Sequence, residues 1–151
     1  MKIFEDKFME LQISMVSLSM EFVNNQADNI YIYCIADELY RFDVFYKINN
    51  KYVYRHEINN NLSKENRIDN SDEREFSMLE YGIDDIEKIV SLYKEYGKEH
   101  PTEMWIIYDA KKNSLDAKYS YEGRYKKDNA LLLDPVDEFD KWFEKVKENN
   151  L

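Results

Sequence analysis

The sequence predicts an α+β domain: an antiparallel sheet, made of a three-stranded meander plus a hairpin, packed with helices in the order α-βββ-α(α)-ββ-α. Three observations predict it. Apolar residues recur at helical spacing at the start, middle and end of the chain. Two stretches between them alternate apolar and polar residues with the period of a strand. Short polar pairs interrupt those stretches where a chain can turn back on itself. With 151 residues and no composition shift or linker to divide them, a single domain over 1–151 is expected.

The first helix rests on Phe4, Phe8, Leu11, Met15, Leu18 and Phe22, spaced by three and four. Met9, Ile13, Val16, Met20 and Val23 form a second stripe pointing nearly the opposite way, with Glu10, Ser14, Ser17 and Glu21 in a narrow polar strip. A helix apolar on two sides needs two layers of cover. One is a sheet; the other is a second helix or a partner protein. The segment "NIYIYCIADELYRFDVFYKINNKYVYRHEI" then predicts strands over 30–36, 39–48 and 51–58, joined by turns at Asp37-Glu38 and Asn49-Asn50. Tyr40, Phe42, Val44, Tyr46 and Ile48 alternate with Arg41, Asp43 and Lys47, the pattern of a strand with one wet face.

"NNNLSKENRIDNS" reads as a polar loop. Phe76, Met78 and Leu79 carry helical signals up to a break at Gly82. A second helix starts near Asp84, with Ile83, Ile86, Val90 and Tyr93 on one face, and Gly97 and Pro101 stop it. "EMWIIYDAKKNSLDAKYSYE" predicts a hairpin with strands over 103–109 and 115–121. "GRYKKDNALLLDP" is either a connection or a short extra strand. Asp134 caps a last helix with Pro135 at its first position, and Val136, Phe139, Phe143 and Val146 form its stripe beside Trp142.

Composition narrows the function classes. Hydrophobic residues at 44% and aromatics at 15% argue against disorder despite 34% charged residues. A net charge of −10 repels nucleic acid and anionic membranes, so neither is expected as a partner. The opening "MKIFEDKFMELQ" lacks the apolar core of a signal peptide and no apolar run reaches membrane-spanning length, which predicts a cytoplasmic protein. Cys34, the one cysteine, reads as a small core residue; it excludes an internal disulfide and a thiolate zinc cage.

The search for catalytic chemistry yields little. Gly82, Gly97 and Gly123 are isolated, so no glycine-rich phosphate cradle forms. His56 shares strand parity with Tyr52, Tyr54 and Ile58, while Glu57 points to the opposite face and cannot orient it as a base. His100 lies at a helix end, where a cation favours the dipole. Counting from Asp69, a calcium loop would place Glu80 correctly at position twelve, but Arg74 stands at position six where the turn needs glycine. Asp84 and Asp85 are adjacent at a helix start rather than facing across a cleft, so an acid–base pair has no support. No cofactor, metal or catalytic residue is assigned, and a binding role is expected rather than an enzyme.

One stretch asks for a partner. Between Glu65 and Glu87 stand nine acids against Arg67 and Arg74, a net of seven of the ten negative charges of the chain. This is either a solvated face or a surface for something basic. Interleaved with Tyr31, Tyr33, Tyr81, Tyr93 and Tyr96, it has the composition of a contact surface in which Coulomb steering speeds approach and aromatics hold the complex.

The order of parts carries a resemblance. A long amphipathic first helix leads into the meander, and "IDDIEKIVSLYKEYGKEHP" is followed by "TEMWIIYDAKKNSLDAKYSYE". Over roughly residues 5–122 this resembles the YezG-like immunity proteins (the DUF600 family) of low-GC Gram-positive bacteria. In that family the middle helix ends at a Pro-containing turn. A hydrophobic strand, a polar turn and a strand closing on an aromatic and an acid follow, here Tyr121 and Glu122. The turn "DAKKNS" lacks the family's glycine, and 123–151 has no counterpart. The resemblance implies an antitoxin that binds the toxin domain of a secreted polymorphic toxin, often a nuclease. A nuclease has a basic groove, for which carboxylates can stand in as uncleavable phosphates. The expected toxin-binding residues are Asp69, Asp72, Glu73, Glu75, Glu80, Tyr81, Asp84, Asp85 and Glu87. The alternatives are a homo-oligomeric adaptor using the two-sided first helix, and a small enzyme with a site near His56.

Overall fold

A computed structural model describes residues 2–149; Met1, Asn150 and Leu151, which the single-domain reading includes, lie outside the described residues. The chain folds as helix α1 (Phe4–Phe22), strands β1 (Asn29–Ala36), β2 (Tyr40–Ile48) and β3 (Lys51–Tyr54), and helix α2 (Asp72–Glu95). Strands β4 (Glu103–Asp109) and β5 (Ser114–Ser120) and helix α3 (Pro135–Asn149) follow. The α+β expectation holds. One antiparallel five-stranded sheet in the order β3-β2-β1-β4-β5 joins the meander to the hairpin through β1 and β4.

The local chemistry explains the boundaries. Asn24 and Asn25 take positive φ after α1, and the Asn25 amide closes back on the Met20 carbonyl at 2.9 Å. Asn49 and Asn50, both at positive φ, make the tight turn between β2 and β3. Gly97 does the same work after α2, where the Lys98 amide bonds the Tyr93 carbonyl. In the last hairpin Asn113 takes positive φ in place of a glycine, and Tyr108 donates to its side chain at 2.6 Å. Asp134 accepts the Val136 amide at 2.9 Å and starts α3 as expected.

Three expectations are corrected. The helix does not break at Gly82, because α2 is continuous for 24 residues. A Cβ at Gly82 would lie 2.2 Å from the Phe42 ring, so the glycine lets α2 approach the sheet. The third strand ends at Tyr54 rather than 58, since Glu57 accepts the Tyr54 amide and turns Arg55–Asn61 into a 3-10 helix. The polar stretch after it is pinned to its surroundings by side-chain hydrogen bonds. Asn59 accepts the Ile68 amide and donates to its carbonyl at 2.8 and 2.9 Å, and Asn61 donates to the Ile48 carbonyl.

The third correction concerns the wet face of β2: both faces of the sheet are covered. On one, α1 and α2 pack Met15, Phe22, Met78 and Ile86 against Ile30, Ile32, Phe42, Val44 and Tyr46. On the other, Phe139, Phe143 and Val146 of α3 meet Tyr31, Tyr33 and Phe45, and Asp43 is buried between Arg41 and Arg55. Each fully buried aromatic or aliphatic side chain contributes about 2 kcal/mol. "GRYKKDNALLLDP" is a connection, fastened by Arg124, whose guanidinium grips the buried Glu103 carboxylate at 2.6 and 2.7 Å and reaches Glu138 at 3.1 Å. Tyr33 also donates to Glu103, and Tyr125 joins it at 2.8 Å. Arg124 is thereby held even further above its ordinary range by the hydrogen bonds to Glu103.

Gly82→Ala gains helix propensity but forces a methyl into the Phe42 ring. The expected outcome in urea unfolding is a net loss of about 2 kcal/mol, since overpacking exceeds the propensity gain. A Phe42→Leu change in the same chain should recover part of the loss.

Candidate functional site

The acidic stretch begins with local structure that accounts for some of its charge. Asp69 accepts the Ser71 amide at 3.0 Å, which holds its carboxyl below the usual carboxylate range. Ser71 then caps α2 by accepting the Arg74 amide. Asp72, Glu73 and Glu75 occupy the first turn, where the helix dipole favours negative charge.

Arg74 is the one cation inside this start, and it is spent internally. Its guanidinium donates to the Phe22, Asp69 and Glu21 carbonyls at 2.7, 2.7 and 3.0 Å and lies over the Phe22 ring. It therefore satisfies the open carbonyl end of α1 and ties α1 to the start of α2.

Along α2, Glu73, Phe76, Glu80, Asp84 and Glu87 recur at three and four residues and face outward, away from the buried row of Met78, Gly82, Asp85, Ile86 and Ile89. Phe76, within this row, is 63% exposed, and Tyr81, next to Glu80, is 60% exposed. Of the exposed aromatic rings these two are the most open, and both lie on α2. Tyr81 also lines a shallow groove of about 370 Å³ between α1 and α2, with Ser14, Ser17, Glu21, Asp84 and Lys88. A neighbouring hollow of about 470 Å³ continues past Glu87, Ser91 and Glu95.

The structure divides the expected binding residues. Asp69, Asp72, Glu73, Glu80, Tyr81, Asp84 and Glu87 are exposed. Glu75 is turned inward, 3.2 Å from Arg55, and burial raises its carboxyl against the pull of that cation. Asp85 is buried, accepts a 2.8 Å hydrogen bond from Ser14 and is raised by desolvation. Asp84 and Asp85 stand mid-helix, not at a helix start, and so point to different surroundings. Of the tyrosines placed beside the acids, Tyr31, Tyr33 and Tyr93 are buried, and only Tyr81 and Tyr96 remain exposed. Phe76, read only as a helix signal, is the residue the sequence reading missed. Its signal was there: it is the apolar member of the Glu73–Glu80–Asp84–Glu87 row.

His56 stands exposed on the 3-10 turn, stacked on Tyr54 with centroids 5.7 Å apart, so its expected strand parity with Tyr52 and Ile58 does not exist. His100 lies five residues beyond α2 with Nδ1 at 2.9 Å from the Pro101 carbonyl, not at the helix end. Cys34 is buried under Met15, and desolvation pushes its thiol up. Among the described residues no group of three or more His, Cys, Asp or Glu could hold a metal ion, and no helix is long and apolar enough to cross a membrane. No protein-family model matches the chain, and no curated protein matches it.

The raised Asp85 carboxyl gives a pH test. Folding tightens its hold on the proton, so this stabilisation is present below the ordinary carboxylate value and is lost as pH rises through the raised one. Asp85→Asn keeps an acceptor for Ser14 and removes the buried charge. Its thermal midpoint should exceed that of the wild type at pH 7, with the difference closing by about pH 4.

Proposed function

We propose that this protein is an immunity protein of the YezG-like kind, an antitoxin that neutralises a basic, nuclease-like toxin domain through the outer face of α2. The observation that carries this reading is the pairing of Phe76 and Tyr81, 63% and 60% exposed, with the outward acids Glu73, Glu80, Asp84 and Glu87 on the same side of α2. Two open rings beside a charged row match the energetics of a binding surface, with aromatic anchors for residence and like-signed charge for approach. The rigidity of the face supports it as well. α2 is braced along its length against α1 and the sheet, so little order remains to be gained on binding. The resemblance over residues 5–122 supplies the class of partner, and the net charge of −10 agrees with a basic one.

The experiment is co-expression with the toxin-like reading frame beside its gene, scored by host survival and by co-purification. Rescue with a stable complex is expected. Tyr81→Ala and Phe76→Ala should each weaken the complex by about 2 kcal/mol, read as faster dissociation. Asp84→Lys should slow association and reduce its dependence on salt. Asp85→Asn should leave binding unchanged, because that carboxylate faces Ser14. Survival and affinity indifferent to Phe76, Tyr81 and Asp84 would remove this face from the interaction.

A further inference from the structure

The sheet has two edges of unequal character. β3 is four residues long and runs directly into the 3-10 turn, with Phe143 of α3 lying beside it. β5 is seven residues long, and nothing among the described residues pairs with its outer side.

The ladder settles which groups that open side presents. The Ala110 amide bonds the Asp28 carbonyl and the Ala36 amide the Thr102 carbonyl, so even-numbered positions of β4 turn toward β1 and odd-numbered ones toward β5. Through the pairs Trp105↔Lys118 and Ile107↔Asp116, the even-numbered residues of β5 are then used by β4. The amides and carbonyls of Leu115, Ala117 and Tyr119 are therefore directed outward.

An open edge invites another strand, and the question is which strand fits. Side chains flanking Ala117 answer it. Asp116 and Lys118 are exposed, opposite in sign and symmetric about Ala117, and neither belongs to an ion pair among the described residues. We propose that β5 pairs with β5 of a second copy of this chain, antiparallel and centred on Ala117, so that two sheets become one.

In that register Ala117 opposes its own copy, Leu115 opposes Tyr119, and Asp116 opposes Lys118 twice. All the opposed hydrogen-bonding residues are odd-numbered, as the outward groups require. The neighbouring registers fail on charge: centring on residue 116 sets Asp against Asp, and centring on 118 sets Lys against Lys. A two-fold axis normal to the sheet keeps both α1 helices on the same face, flanking the seam. α1 leans toward that edge, with Gln12 accepting from Tyr119 at 2.8 Å and Phe8 against the same ring. Met9 and Ile13, on the second apolar stripe of the same helix, are left 41% and 50% exposed. The outer face of α2 stays clear of it, so this inference does not depend on the toxin-binding reading.

Sedimentation of the full chain and two charge variants tests it. The wild type should sediment as a dimer at micromolar concentration. Lys118→Asp and Asp116→Lys should each weaken self-association about tenfold, whereas an equimolar mixture of the two should recover dimers of one chain of each kind. Both side chains are exposed, so folding should be retained, as circular dichroism will show. The register has its own readout. Opposed residues of a hydrogen-bonded pair lie about 5.5 Å apart at Cα, within disulfide reach, so Ala117→Cys should cross-link to itself on mild oxidation. Asp116→Cys should not, and the buried Cys34 does not compete. A wild type that stays monomeric at high-micromolar concentration overturns the proposal and leaves the edge to a strand of another protein. Dimers unaffected by the charge variants, with no recovery on mixing and no cross-link at 117, overturn it equally.

Discussion

Strand β1 is buried along both faces from Ile30 to Ala36, and that burial is the constraint from which the architecture follows. An antiparallel sheet can leave one face to water. This one cannot, because β1 alternates Ile30, Ile32 and Cys34 with Tyr31, Tyr33 and Ile35, and neither row is dispensable to a core. Two helices close over the aliphatic row and one over the aromatic row. The tyrosine hydroxyls carried inside then require partners. Tyr46 finds the Ser19 carbonyl and Tyr33 finds Glu103. Glu103 in turn requires a cation, which the connection before α3 supplies as Arg124. An apolar requirement in the centre thus reaches, through three hydrogen-bonded groups, into a surface loop.

The charges of the molecule divide in a related way. Arg124 grips Glu103 and Glu138, Arg55 serves Asp43 and Glu75, and Arg74 closes the end of α1. All three guanidinium groups hold the fold together. Glu73, Glu80, Asp84 and Glu87 on the outer face of α2 have no such partner among the described residues, so no guanidinium cancels the charge of that row. An exposed surface of that kind repels copies of itself, and the opposite pattern at β5, where both signs alternate, lies on a different side of the domain.

The periodicities made most of the fold legible. Alternation located the strands, and Asn49, Gly97 and Asp134 marked turns and caps through chemistry local to each residue. What failed depended on contacts distant in sequence. Gly82 looks like a helix breaker until Phe42, forty residues earlier, is seen to fill the space its missing side chain leaves. His56 looks like a strand residue until Glu57 bonds the Tyr54 amide. The acids of α2 were visible as a run. Which of them face outward depended on a helix phase that the expected break at Gly82 obscured, and so Asp85 and Glu75 were grouped with Asp84 and Glu80. Tyr31 and Tyr33 look like surface residues for the same reason that β2 looks wet on one face: nothing in their alternation announces a third helix closing over them.

The placement of α3 has a consequence for how the chain is made. Every strand is synthesised before α3, so the growing chain can complete its sheet and seal one side with α1 and α2 while Phe45 and Trp105 on the other still lack their lid. Until Phe139, Trp142 and Phe143 leave the ribosome, the nascent domain displays a flat aromatic plate. A chain that stalls in the 123–134 connection is therefore a client for chaperones rather than a slightly shortened version of the finished molecule.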